Sequence, residues 1–144
     1  MFIGEYSHTV DAKKRLALPS KFRSELGNKV VVTRGLDACL FIYPMKVWET
    51  LAEKLGSLPV GEAGTRSFIR LMLSGATDVD MDSQGRVLLP EYLKTYAGLE
   101  KEVTVAGLFN RLEVWDTGKW NVYKTDAEKN SEEIAEQLGK LGVY

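Results

Sequence analysis

A ten-residue pattern occurs twice in this chain, 71 residues apart. Val10-Asp11-Ala12-Lys13-Lys14-Arg15-Leu16-Ala17-Leu18-Pro19 is matched by Met81-Asp82-Ser83-Gln84-Gly85-Arg86-Val87-Leu88-Leu89-Pro90. Asp, Arg, Leu and Pro recur in register, with apolar residues at three further places. Gly27 and Gly98 keep the offset. After one inserted residue the match resumes at offset 72, placing Gly35-Leu36 on Gly107-Leu108, Leu40 on Leu112 and Trp48 on Trp120. A register held this long marks an internal duplication. The fold must therefore be built from two copies of one small unit.

Both copies carry the same order of local signals. An alternating stretch, as in Tyr6 to Val10, precedes a polar turn at Asp11 to Lys14 or Asp82 to Gly85. Short apolar strands are predicted over Arg15 to Leu18 and Arg86 to Leu89. Proline then opens a helix, where its missing N–H costs nothing. These helices run from about Pro19 to Leu26 and Pro90 to Ala97, closed by Gly27 and Gly98. Two strands follow, Lys29 to Thr33 and Cys39 to Tyr43, matched by Glu102 to Ala106 and Leu112 to Trp115. Closing helices are expected over Met45 to Leu55 and Lys119 to Lys129.

One such unit is too small to bury its strands well. Two can cover each other's apolar faces. The predicted class is α+β: duplicated β-rich units forming one pseudo-two-fold body with flanking helices. The expected division is 1–55 for the first unit, 56–76 for a linker and connecting helix, 77–128 for the second unit and 129–144 for a helical tail. The linker Gly56-Ser57-Leu58-Pro59-Val60-Gly61 is turn-rich. Phe68, Leu71 and Met72 then sit at helical spacing, predicting a helix from about Glu62 to Ser74. Ile134, Leu138 and Leu141 form an apolar stripe, suited to packing on the body or on a neighbouring subunit. Trp48, Trp115 and Trp120 read as core, and Cys39 as a buried small hydrophobe.

Bulk properties restrict the chemistry. Nineteen basic residues face 20 acidic ones, so a nucleic-acid site must come from local clustering. The single cysteine excludes an intrachain disulfide. No signal-peptide pattern opens the chain, and no run approaches the roughly 20 apolar residues of a membrane span. These features predict a soluble cytoplasmic protein without a membrane partner.

The repeated Asp-x-x-x-Arg carries the strongest functional signal. Arginine offers a planar, permanently charged fork suited to phosphate or to guanine edges. Residues 10–34 hold seven basic residues against two acidic, whereas residues 81–105 hold three against four. If DNA is bound, this count assigns most of the phosphate attraction to the first copy and makes Arg15 the stronger contact. The alternative is that Asp11–Arg15 and Asp82–Arg86 only brace turns, in a structural or protein-interaction ring. The run from Asp80 to Glu91 nearly spells a calcium loop. Its duplicate retains Arg and Pro but lacks the ligands, which argues against calcium. Asp78, Asp80 and Asp82 would share one face of a strand and so suggest a metal-dependent nuclease. A solvated strand face is the simpler reading. His8 reads as a strand residue, and no catalytic motif, small-molecule substrate or cofactor site is evident, so the expectation is not an enzyme.

Taken together, these residues resemble the MraZ family, whose halves belong to the AbrB-like swapped-hairpin class. The resemblance runs through Met1-Phe2-Ile3-Gly4-Glu5-Tyr6, both Asp-x-x-x-Arg motifs, Thr33-Arg34-Gly35-Leu36-Asp37, Leu40-Phe41-Ile42-Tyr43-Pro44, Ser74-Gly75-Ala76-Thr77 and Gly107-Leu108-Phe109-Asn110-Arg111-Leu112-Glu113-Val114-Trp115. It implies a sequence-specific, nucleoid-associated transcriptional regulator. Such a protein forms a homo-oligomeric ring on repeated double-stranded DNA sites in the promoter of the division and cell-wall gene cluster. It also implies DNA contact by Arg15 and Arg86, with Lys13, Lys14 and Gln84 beside them and Asp11 and Asp82 bracing the turns. The family usually has Gly before the first Arg. Lys14 stands there, which predicts a mildly strained residue if that turn needs a positive φ.

Overall fold

A computed structural model describes residues 1–143. The elements follow in chain order. Strand β1 (Phe2–Thr9) and strand β2 (Arg15–Ala17) flank the first Asp-x-x-x-Arg loop. A 3-10 turn (Ser20–Phe22) leads into α1 (Arg23–Leu26), followed by β3 (Lys29–Arg34), β4 (Leu40–Pro44) and α2 (Met45–Gly56). Helix α3 (Ala63–Gly75) connects to the second copy. That copy contains β5 (Thr77–Asp80), β6 (Arg86–Leu88), α4 (Glu91–Ala97), β7 (Glu102–Phe109), β8 (Arg111–Asp116) and α5 (Thr117–Lys129). Helix α6 (Ser131–Lys140) is the last element of the described chain.

The two copies exchange strands. One antiparallel sheet has the order β1-β7-β8-β4-β3-β5, and β2 pairs with β6 in a separate two-stranded ribbon. Thus β1 of the first copy lies on β7 of the second, while β5 of the second lies on β3 of the first. The pseudo-two-fold axis passes between β4 and β8. This is a duplicated swapped-hairpin body, and neither copy completes a sheet alone.

Alternation explains the packing. On the ribbon, Leu16 and Val87 are opposite each other and fully buried. They join Phe2, Leu18, Val30, Ile42, Leu89, Leu93 and Val103 in the main core, between the sheet and the short helices. A second cluster on the other face of the sheet joins Cys39, Phe41, Tyr43, Leu55, Met72 and Trp115 beneath the longer helices. Cys39 is buried, and burial pushes its thiol pKa strongly upward.

Several expectations change. Among the tryptophans, only Trp115 is buried. Trp48 and Trp120 are half-buried against the second cluster. The repeat register has two changes, not one. Gly27 to Gly98 is an offset of 71, but Lys29 and Glu102 hold matching ladder positions, opposite Asp80 and Thr9. Two residues are therefore inserted before β7, and one is lost from the β7–β8 hairpin. Gly107 accordingly takes the ladder place of Arg34, not of Gly35. The apolar stripe of the tail is only partly covered: Leu138 on α6 is half-buried, whereas Ile134 and Leu141 are exposed, Leu141 at 77%. Helix α6 packs only lightly on α5.

Candidate nucleic-acid interface

The two Asp-x-x-x-Arg loops have nearly identical geometry. In the first, Asp11 Oδ1 accepts the backbone N–H groups of Lys13 and Arg15, both at 2.9 Å. Its Oδ2 accepts Arg15 Nε at 2.8 Å. In the second, Asp82 accepts from the N–H groups of Gln84 and Arg86 at 2.9 Å and from Arg86 Nε at 2.8 Å. Each aspartate therefore shapes its turn through the backbone and aims its arginine through one nitrogen. Among the described residues, no protein acceptor takes the terminal amino groups of either guanidinium. The brace therefore leaves most of each arginine's donors available.

Each loop needs a residue in the left-handed region just before its arginine. Gly85 has φ 74° and Lys14 has φ 63°. Lys14 thus adopts the strained conformation expected of a non-glycine residue there.

The ribbon brings the loops together. Arg15 is opposite Leu88, and Ala17 is opposite Arg86. With Leu16 and Val87 directed inward, these four residues share the outward face. The arginines are diagonal neighbours, roughly 7–8 Å apart by ribbon geometry. Leu88 is 56% exposed between them. Sequence reading missed Leu88, although its signal was present. If Val87 and Leu89 face the core, alternation directs Leu88 outward.

Strand exchange also redistributes the charges counted along the chain. Lys14 Nζ pairs with Glu91 Oε2 of the second copy at 2.8 Å, which offsets the charge of the first loop. Arg34 donates to the Leu71 carbonyl at 3.0 Å, with its guanidinium 5.9 Å from the ring centres of Tyr92 and Tyr96. Lys29 faces Asp78 and Asp80 at 3.4 and 3.8 Å. Arg23 lies over Gly85, in the second loop. The seven cations counted along the first copy are therefore not gathered around Arg15. The acidic run also divides: β5 ends at Asp80, and Asp82 turns into its own loop.

The Asp11 and Asp82 carboxyls are held below the ordinary carboxylate pKa, chiefly by the backbone N–H of the following arginine. Desolvation opposes this, and the arginine side chain reinforces it. Being more acidic folded than unfolded, each carboxylate contributes its full stabilisation above the unfolded pKa. That contribution disappears as pH falls through the lowered folded value. The loops should therefore hold their shape at neutral and mildly acidic pH. An NMR titration should give midpoints for both carboxyls below those of exposed aspartates. Midpoints at or above the ordinary value would contradict the bracing.

The class defined by this architecture is a duplicated swapped-hairpin protein with paired guanidinium loops on one ribbon. A family model described as "MraZ protein, putative antitoxin-like" matches it twice, over residues 1–71 and 72–141. Three curated relatives are each named "Transcriptional regulator MraZ". That of Halothermothrix orenii is 50% identical over 143 residues, covering 99% of this chain and 100% of its own length. Those of Acetivibrio thermocellus and Syntrophomonas wolfei subsp. wolfei are 49% and 48% identical with the same coverage. The chain belongs to the MraZ family.

Proposed function

We propose that this protein is a sequence-specific DNA-binding transcriptional regulator that contacts double-stranded DNA through the ribbon carrying Arg15 and Arg86. The observation that carries this reading is the pair of braced arginines with free terminal amino groups on one outward face. A two-stranded ribbon fits the B-DNA major groove. Lys13 and Lys14 add phosphate attraction beside Arg15, and Gln84 lies beside Arg86. Asp11 and Asp82 reduce the ordering cost by presetting both loops. A homo-oligomeric ring would set several ribbons along repeated promoter sites and convert modest affinity per ribbon into avid binding. The promoter of the division and cell-wall gene cluster is the proposed target, in the nucleoid. The family's named role is regulatory, and the proposed activity needs no catalysis.

Selection of bound duplexes from random DNA tests this reading. The expected outcome is enrichment of a short repeated element. Recovery no better than for unselected DNA would contradict it.

Glu91 gives a second prediction. Its carboxylate occupies Lys14 as a phosphate oxygen would. Glu91→Gln should release that lysine and tighten DNA binding by about two- to fivefold at low salt, a typical surface ion-pair effect. Fluorescence anisotropy would measure it, and unchanged or weaker binding would contradict it.

A further inference from the structure

We propose that Arg23 is a further DNA-contacting residue, supplied by the first copy to the loop of the second, where it binds a backbone phosphate. This inference rests on the DNA-binding reading above.

The placement follows from strand exchange. The Leu18 N–H donates to the Gly85 carbonyl at 2.9 Å, tying the end of the first ribbon strand to the second loop. The Leu18 carbonyl in turn accepts Arg23 Nε and Nη2 at 3.2 and 3.1 Å. These contacts hold the guanidinium against the loop at Gly85. An ideal Cβ on Gly85 would lie 2.0 Å from Arg23 Nε and 2.3 Å from Cζ. The glycine therefore does more than permit a positive φ, because Lys14 adopts φ 63° at the equivalent turn. Gly85 provides the space in which Arg23 lies.

The two loops are consequently charged by different routes. The first carries Lys13 and Lys14, with Lys14 held by Glu91. The second has Gln84 and Gly85 at those places and gains Arg23 instead. The Nη1 group of Arg23 has no protein acceptor among the described residues. It is a permanently charged donor at Gly85, the residue preceding Arg86, and fits a phosphate oxygen. The repeat equivalent of Arg23 is Lys94, so the fork exists at one loop only.

The test uses the full chain and a fluorescent duplex recovered by random-DNA selection, titrated at several salt concentrations. Arg23→Gln should weaken binding about tenfold and reduce the salt slope by about one per bound chain. Arg23→Lys should restore most of the slope, because the charge is retained. Gly85→Ala should displace Arg23 and reproduce the loss, providing a second variant if Arg23→Gln does not fold. Unchanged affinity in folded Arg23→Gln would overturn the proposal. So would weaker binding with an unchanged slope, which would make Arg23 only a support for the loop. Arg15→Ala and Arg86→Ala serve as controls. If they lose binding and Arg23→Gln does not, only this inference fails. If none of the three affects binding, the DNA-binding reading fails with it.

Discussion

Replacing Arg15 by alanine is expected to abolish most DNA affinity while leaving the fold intact. Loss of a phosphate or base contact costs roughly 1–3 kcal/mol for each engaged loop, and multivalency would compound that loss across the proposed ring. A phosphate contact also contributes about one to the salt slope, which should fall accordingly. Stability should change little, because the lost Asp11 pair is a partly exposed surface ion pair. Asp11 also keeps its two backbone hydrogen bonds to the turn. Anisotropy and a denaturant melt on the same sample separate the two readings. A brace without a DNA role predicts unchanged anisotropy. A contact predicts lost binding with an almost unchanged melt.

The second large effect concerns the exchange of strands. Leu16 is fully buried and is opposite Val87 of the other copy. Leu16→Ala is expected to cost about 2–5 kcal/mol, the range for a leucine truncated in a close-packed core. The loss should affect the whole body, because β1 and β5 each complete the other copy's half of the sheet. Far-ultraviolet circular dichroism and fluorescence of the tryptophans around the second cluster should report one coincident transition, shifted to lower denaturant. Two separated transitions, or a loss below about 1 kcal/mol, would contradict a single swapped body.

Local features of the sequence carried far into the structure. The turn at Asp11 to Lys14, the left-handed residue before each arginine, the proline-led helices and the two-copy order all depend on contacts within a few residues. The short apolar strands were legible too, but which of their residues turn inward (Leu16, Leu18, Val87 and Leu89) emerged only with the ribbon pairing. The long-range partners did not follow from the same signals. A duplicated sequence fits two adjacent copies as well as two interlocked ones, so counting charge along the chain placed Arg23, Lys29 and Arg34 with Arg15. Strand exchange sends Arg23 to the second loop and brings Glu91 to the first. The double indel around β7 escaped notice because Gly107 and Leu108 match Gly35 and Leu36 by type. Hydrogen-bond pairing, which sequence identity does not encode, assigns them different ladder positions. Exposure of Ile134 and Leu141 in the tail likewise depends on which surface they meet, beyond what the helical period can specify.

The central claim is that guanidinium groups from both copies form one DNA-binding face. Its most direct test compares the wild type with the Arg15→Ala, Arg86→Ala double variant, titrated with selected duplex across a salt series. For the wild type, the logarithm of the binding constant should fall linearly with the logarithm of salt concentration. The folded double variant should bind far more weakly, with a shallower slope. Equal affinities and equal slopes for the two proteins would contradict the claim.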